Sequence, residues 1–457
     1  MEKIAVQINC NYFKYNNEEN LLEDFSMEIN YGEITLLSGL SGCGKSSLLY
    51  LINGIIPRVI NADFNGEVLI DGENVSDKSM SQISRKVGSV LQNAESQIIH
   101  QIVEDEIAFG CENFGFEKNV IDQEIEKGCS IMELERNWKC RDLSGGQKQR
   151  LLTASVLAMK GKIFIFDEPL ANLDLKGAEI LMNLLKKLAG KGKAVLLVEH
   201  RLDLVLPFAD KVWIIENKKV IPVKNKVQYL KSQTNVIENK KENNITQNDP
   251  AFKIENLTKS FGQRKVLYEI TFDVYKGERL LLTGENGSGK STLLSIIARL
   301  QKGDSGRVLQ FLDKNLSARA DKKWFKTCGM VYQNPNYQLF MPTVKDEILF
   351  ACKDYDYAMY IAERLNLNSL MNLHPQSLSE GQKRRVTIGA ILAQRPKVLF
   401  LDEPTVGQDY FNLKNLVEVI NDIHRRENNT MITITHDIRC SDAFCDRKLC
   451  LHKGKLN

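Results

Sequence analysis

A chain of 457 residues, 43% hydrophobic and 26% charged, has material for two or three packed domains. Its formal net charge of +3 is too small a surplus to act by itself as a nucleic-acid or membrane footprint. No apolar run nears the roughly 18 residues of a membrane helix, MEKIAVQINCNYFKYNN has no signal-peptide core, and ten cysteines without a CxxC pair read as reduced cytosolic thiols.

The first informative element is GLSGCGKSS, which follows the apolar run Ile34–Leu37. Strand, glycine-rich turn and helix is the setting a phosphate loop requires, because successive backbone N–H groups then wrap around phosphate oxygens at a helix N-terminus. Gly39, Leu40, Ser41, Gly42, Cys43 and Gly44 would form that cradle. Lys45 would reach the β- and γ-phosphates, and Ser46, beside Ser47, would ligate Mg²⁺. A helix N-terminus and a lysine both lower a thiol pKa, so Cys43 is also a candidate thiolate. The polar-patterned stretch from about Gln92 to Leu143 predicts a helical subdomain inserted into an α/β core.

LSGGQKQR, Leu143–Arg150, then opens a basic helical segment. Ser144, Gly145, Gly146 and Gln147 would offer a second anion site at a helix start, which a single phosphate loop does not need. Ile163–Phe166 reads as a buried strand closed by Asp167 and Glu168. Asp167 would hold Mg²⁺ through water, and Glu168 would orient and deprotonate the attacking water. Val195–Val198 is another strand, and His200 in VEHR just beyond it would meet the γ-phosphate. Ser232–Pro250, rich in Asn, Lys and Glu, reads as a solvated linker between a domain at 1–231 and a second at 251–457.

The second domain repeats the first. Strand Leu280–Leu282 leads to GENGSGKST, with Gly284, Glu285, Asn286, Gly287, Ser288, Gly289, Lys290, Ser291 and Thr292 in the matching places. LSEGQKRR supplies Ser379, Gly381 and Gln382, with Glu380 in place of the first glycine; VLFLDEP supplies Asp402 and Glu403, and ITHD supplies His436. The two lysines lie 245 residues apart, the glutamates 235 and the histidines 236. A period this long marks a duplicated domain rather than a solenoid.

With both signature strings in place, the chain resembles two ATP-binding-cassette (ABC) ATPase domains fused in tandem, over nearly its whole length. The resemblance implies an α/β fold of two P-loop NTPase domains, each with a mainly parallel sheet, a helical subdomain and an antiparallel β subdomain. It implies ATP and Mg²⁺ as ligands and head-to-tail pairing, in which Lys45, Glu168 and His200 face Ser379 and Gly381, while Lys290, Glu403 and His436 face Ser144 and Gly146. Gln92 and Gln333 match the Q-loop glutamines that touch Mg²⁺ and sense a transmembrane partner. Tyr15 and Phe261 match the adenine-stacking aromatics. A flexible linker of about 19 residues has a typical span of roughly 24 Å, which permits pairing within one chain.

Two further strings narrow the resemblance. Gln92–Gly115 and Gln333–Phe350 share a Q-N-x-x-x-Q start and an E-I-x-F end, and the second copy carries TVGQD at Thr405–Asp409. These resemble the ATPases of energy-coupling-factor transporters, with Gln97 and Gln338 as that group's extra glutamine. The implied partners are a transmembrane T component and a substrate-capturing S component, with the chain peripheral on the cytoplasmic face of the membrane, importing a vitamin, a precursor or a metal ion. The departures are Glu380, Ala94 opposite Pro335, and ANLD (with Asp174) opposite VGQD. Glu380 is expected to weaken the Lys45 site by placing a carboxylate near the triphosphate. A soluble tandem ABC protein acting on ribosomes or nucleic acid is the alternative. It predicts a long charged helical linker, a basic patch or metal-binding cysteines, so no nucleic-acid partner is expected. A non-hydrolysing sensor would have lost a catalytic Glu or His, and both copies keep both.

Overall fold

The computed structural model describes residues 3–16, 19–171, 173–233, 249–310, 322–350, 352, 354–437 and 439–456. Most of the expected linker, at 234–248, and Asn172 of the ANLD string lie outside the described residues. The chain divides into two compact units, Met1–Thr234 and Asn235–Asn457.

In the first unit β1 (Ile4–Tyr15) and β2 (Leu22–Asn30) pair antiparallel, and β3 (Ile34–Gly39) runs into the phosphate loop. β4 (Ala62–Ile70) and β5 (Glu73–Asn74) complete an antiparallel sheet of order β2-β1-β4-β5. β6 (Val87–Val90), β7 (Ile163–Asp167), β8 (Ala194–Val198), β9 (Lys211–Glu216) and β10 (Lys219–Pro222) join β3 in the order β10-β9-β3-β8-β7-β6. All neighbours in this sheet are parallel except β10 and β9.

A strand apolar at every position can bury both faces, since successive side chains alternate. In β7, Ile163 and Ile165 join a core shared with Ala5 and Ile8 of β1 and with Leu48 of helix Lys45–Ile52. Phe164 and Phe166 point the other way, onto Leu181, Met182 and Leu185 of helix Leu175–Gly190. Each buried side chain contributes on the order of 1.5–3 kcal/mol, so the strand end that carries Asp167 is fixed from both sides.

Helices Val103–Asn113, Lys118–Met132 and Gly145–Ala158 form the helical subdomain around Ile107, Ile125 and Leu151. The expected helical character does not extend to 92–102, which is a loop. There the Gln97 side chain accepts the Leu91 N–H at 2.8 Å, replacing backbone pairing that a helix would supply. No two of the ten cysteines form a disulfide. Burial pushes the thiols of Cys111 and Cys140 up to about 11.

The second unit repeats the plan. β11 (Pro250–Phe261), β12 (Arg264–Tyr275) and, after β13 (Arg279–Thr283), β14 (Ser305–Gln310) form an antiparallel sheet of order β12-β11-β14. β15 (Cys328–Val331), β16 (Val398–Asp402), β17 (Thr430–Ile434), β18 (Arg447–His452) and β19 (Lys455–Leu456) join β13 in the order β15-β16-β17-β13-β18-β19. The start of β13 is anchored by a buried ion pair: Arg279 Nη2 donates to Asp446 Oδ1 at 2.6 Å, and the Arg279 backbone N–H donates to Asp446 Oδ2 at 3.0 Å. Breaking a buried pair strands its partner, so Asp446→Ala is expected to destabilise the second unit by about 3 kcal/mol, read from its urea unfolding transition. Among the described residues no helix is long and apolar enough to cross a membrane.

Candidate functional site

The two phosphate loops share one geometry. Gly44 and Gly289 cap helices Lys45–Ile52 and Lys290–Ile297 with φ of 106° and 103°, a left-handed conformation that favours glycine. Behind each cap the lysine turns back over its loop. Lys45 Nζ donates to the carbonyls of Gly39 (3.0 Å) and Leu40 (2.8 Å), and Lys290 Nζ to those of Gly284 (2.7 Å) and Glu285 (2.9 Å). Cys43 N–H donates to Leu40 O at 3.3 Å within the first loop, and Ser288 N–H to Glu285 O at 3.2 Å within the second.

The end of β7 lies against the first loop: Ser46 Oγ donates to Asp167 Oδ2 at 2.9 Å. Ser291 makes the matching bond to Asp402. Asp402 Oδ1 is buried and has no hydrogen-bond partner among the described residues. A serine hydroxyl beside a carboxylate with an unused buried oxygen suits the hydrated Mg²⁺ of a magnesium–nucleotide substrate. Burial and the neighbouring Glu168 push Asp167 up to about 7, and burial raises Asp402 as well.

The glutamate and histidine of each copy meet. His200 Nε2 is 3.3 Å from Glu168 Oε1, and His436 Nε2 is 3.5 Å from Glu403 Oε1. Burial, the largest influence on Glu168, pushes it up, but His200, Lys45 and a hydrogen bond from Gln92 outweigh it and hold the carboxyl below its ordinary range. Burial and Asp402 instead push Glu403 up to about 8. Gln92 is therefore brought to the Glu168 carboxylate, whereas Gln333 accepts from Arg384 Nη2 at 2.6 Å through its backbone carbonyl.

Each signature serine starts a helix with a reciprocal capping box. Gln147 N–H donates to Ser144 Oγ at 3.3 Å while Ser144 N–H donates to Gln147 Oε1 at 2.8 Å. Gln382 and Ser379 exchange the same bonds at 3.3 and 3.0 Å. The serine oxygens act as acceptors, which leaves each hydroxyl proton for a ligand. The two glutamines order the helix start instead. Gly145 and Gly146 lie in the first turn of one helix, Gly381 in that of the other. A Cβ at Gly381 would meet Gly407 O at 2.3 Å, so this approach admits only glycine.

Glu380, expected to place a carboxylate near the triphosphate, has a cation and an amide beside it. Its Oε1 lies 3.5 Å from Lys383 Nζ and accepts from Asn336 Nδ2 at 3.5 Å, and Lys383 Nζ also donates to Asn336 Oδ1 at 3.0 Å. In the first domain Lys148, at the position of Lys383, pairs with Glu95, at the position of Asn336. The carboxylate has moved from the loop to the signature, the lysine that neutralises it is kept, and no net repulsive charge is added.

Gln97 and Gln338 close their own loops. Gln97 accepts from Leu91 N–H, and Gln338 accepts from Tyr332 N–H at 2.9 Å while donating to Met330 O at 2.7 Å. A residue pair not singled out from the sequence completes the loops. Glu106 Oε2 accepts the N–H groups of Ile99 and His100 at 2.9 and 2.8 Å, and Glu347 Oε2 those of Phe340 and Met341 at 2.9 and 2.8 Å. Both carboxylates are buried. They are the glutamates of the repeated E-I-x-F string, which was the available signal. Of the two aromatics, Tyr15 packs edge-on against Phe13 and its hydroxyl meets Ser47 Oγ at 2.8 Å, beside the loop. Phe261 is exposed at the end of β11 with Lys259 Nζ 5.4 Å from its ring centre.

Two phosphate loops, each backed by a serine–aspartate pair and a glutamate–histidine pair, on parallel sheets with helical inserts, define a chain of two P-loop nucleotide-hydrolysing domains. The ABC transporter family model matches residues 22–171 and 267–406, and the chain belongs to that family as an ABC ATPase. A protein of Treponema denticola provisionally named an ABC transporter ATP-binding protein is 33% identical over 477 residues, covering 99% of this chain and 96% of the relative. A Bacillus subtilis protein provisionally named an HMP/thiamine import ATP-binding protein is 33% identical over 492 residues, covering 97% and 89%. Among solved structures, that of ribosome-bound archaeal Pelota and ABCE1 aligns with a TM-score of 0.71 at 18% identity, covering 98% of this chain and 78% of that one. At that identity the likeness is one of fold.

Proposed function

We propose that the chain is the ATP-hydrolysing subunit of a membrane importer of the energy-coupling-factor type, bound to a T component and an S component at the cytoplasmic face of the membrane. Its domains pair head to tail within one chain, with one MgATP between the Lys45 loop and the Ser379 signature and another between the Lys290 loop and the Ser144 signature. At each site the lysine neutralises phosphate charge, the Asp167 or Asp402 carboxylate holds the hydrated Mg²⁺, Glu168 or Glu403 accepts the proton of the attacking water, and His200 or His436 holds the γ-phosphate.

The observation that carries the transport reading is a matched pair of apolar knobs beside the Q-loops. Ile99 and Phe340, at equivalent positions, are 67% and 76% exposed; Phe109 and Phe350, also equivalent, are 36% and 71% exposed. Exposed aromatic and branched side chains on a backbone held by a buried carboxylate are pre-organised to dock, since little order is lost on binding. Repetition in both domains suits a partner that presents two similar segments. The Bacillus subtilis relative, named for HMP/thiamine import, supports the same reading.

The test is purification of the tagged full-length chain from detergent-solubilised membranes and, in parallel, from the ribosome pellet. Recovery with a multi-helix membrane protein in fixed ratio is expected. Recovery with ribosomes alone would favour the ribosome-acting alternative.

A further inference from the structure

The residues on either side of the first domain's histidine reach into the loop that follows the catalytic glutamate. Glu199 is 2% exposed. Its Oε1 accepts the N–H of Leu170 at 2.8 Å, and its Oε2 accepts the N–H groups of His200 at 2.7 Å and Arg201 at 3.0 Å. Arg201 reaches back from the far side of the histidine: Nη1 donates to the carbonyls of Leu170 at 3.3 Å and Leu173 at 2.9 Å. Leu170 is thus held by both its N–H and its C=O. Glu168, two residues earlier, donates its own N–H to Val198 O at 2.9 Å. Beyond the loop, Asp174 caps helix Leu175–Gly190 by accepting from Gly177 N–H at 2.8 Å.

The second domain builds this junction differently. Thr405 and Thr435, at the positions of Leu170 and Glu199, share a hydrogen bond between hydroxyls at 2.9 Å. Asp437, at the position of Arg201, pairs with Arg439 at 2.6 Å. Gln408, at the position of Leu173, donates to Gly381 O at 2.8 Å and so ties its loop to the signature helix. A charged pair joins loop to histidine in one copy; neutral groups join loop to histidine and to signature in the other.

We propose that Glu199 and Arg201 are positioning residues for hydrolysis at the first domain's site. A buried carboxylate and a guanidinium, each bonded to backbone of the same loop, lock the segment after Glu168 to both sides of His200. Glu168 and His200 then meet the attacking water and the γ-phosphate as one rigid pair, and small misplacements of such pairs are costly to rate. The inference rests on the reading of Glu168 and His200 as hydrolytic groups.

The experiment uses the full-length chain carrying Glu403→Gln, so that turnover reports the Glu168 site. Arg201→Ala in this background is expected to lower kcat about tenfold with KM for MgATP within about twofold, and Arg201→Lys to recover kcat to within about threefold of the parent. Amide exchange, measured on the same proteins, is expected to quicken at least about tenfold across 168–173 in Arg201→Ala and to stay unchanged across 403–409. Unchanged exchange across 168–173 would overturn the lock. Faster exchange with unchanged kcat, or a rise in KM alone, would overturn the positioning role. A parent that binds ATP without turning it over would contradict the hydrolytic reading of Glu168 and with it the positioning role, while the exchange comparison would still decide the lock.

Discussion

Replacing both Glu168 and Glu403 by glutamine is expected to lower ATP hydrolysis by at least about a hundredfold, and each single replacement to do the same at its own site, because a positioned general base contributes about 10²–10⁴-fold. The two carboxylates lie just past strand ends, Glu403 buried and Glu168 largely so, each within 3.5 Å of a histidine ring nitrogen. Glutamine keeps the shape and the hydrogen-bonding reach but cannot take a proton from water. Nucleotide binding should survive, since the loop lysines and the Ser46–Asp167 and Ser291–Asp402 pairs are untouched. Phosphate release beside equilibrium ATP binding separates the two effects. A double variant that hydrolyses at the original rate would contradict the assignment of both carboxylates.

The second large effect is expected at the exposed knobs. Ile99→Asp combined with Phe340→Asp should reduce recovery of the membrane partner more than about tenfold, since a buried aromatic or branched anchor at an interface commonly carries 2 kcal/mol or more. A carboxylate on each knob would have to be desolvated against an apolar partner surface. Glu106 and Glu347 bind backbone N–H groups, which aspartate at 99 and 340 retains, so the loop itself should persist. The measurement is the ratio of membrane protein to tagged chain after purification, with ATP binding on the same sample as the control for folding. An unchanged ratio would show that the partner docks elsewhere.

The phosphate loops and their strands were readable because their chemistry dictates spacing. A phosphate fixes where the glycines and the lysine must stand, and a strand buried on both faces must be apolar at every position, as Ile163–Phe166 is. Side-chain direction was not readable. Glu380 read as an added charge beside a triphosphate, whereas Lys383 and Asn336 stand next to it, and that neighbourhood depends on a loop residue 44 positions away in sequence. The loop at 92–102 escaped for a related reason, since its order comes from Gln97 and Glu106 substituting for backbone pairing rather than from a period of its own. The Gln147 and Gln382 side chains, grouped with the anion site by motif, bond to their own helix starts because an S-x-x-Q string is also a capping box. Arg201 was visible in VEHR, but its grip on Leu170 and Leu173 joins segments about thirty residues apart, and nothing local announces it.

The transport reading is tested most directly by placing a photo-cross-linking residue at position 99 or at position 340 of the full-length chain and illuminating intact membranes. The expected result is one multi-helix membrane protein joined to both positions. Adducts confined to ribosomal proteins, or a membrane adduct at neither position, would contradict it.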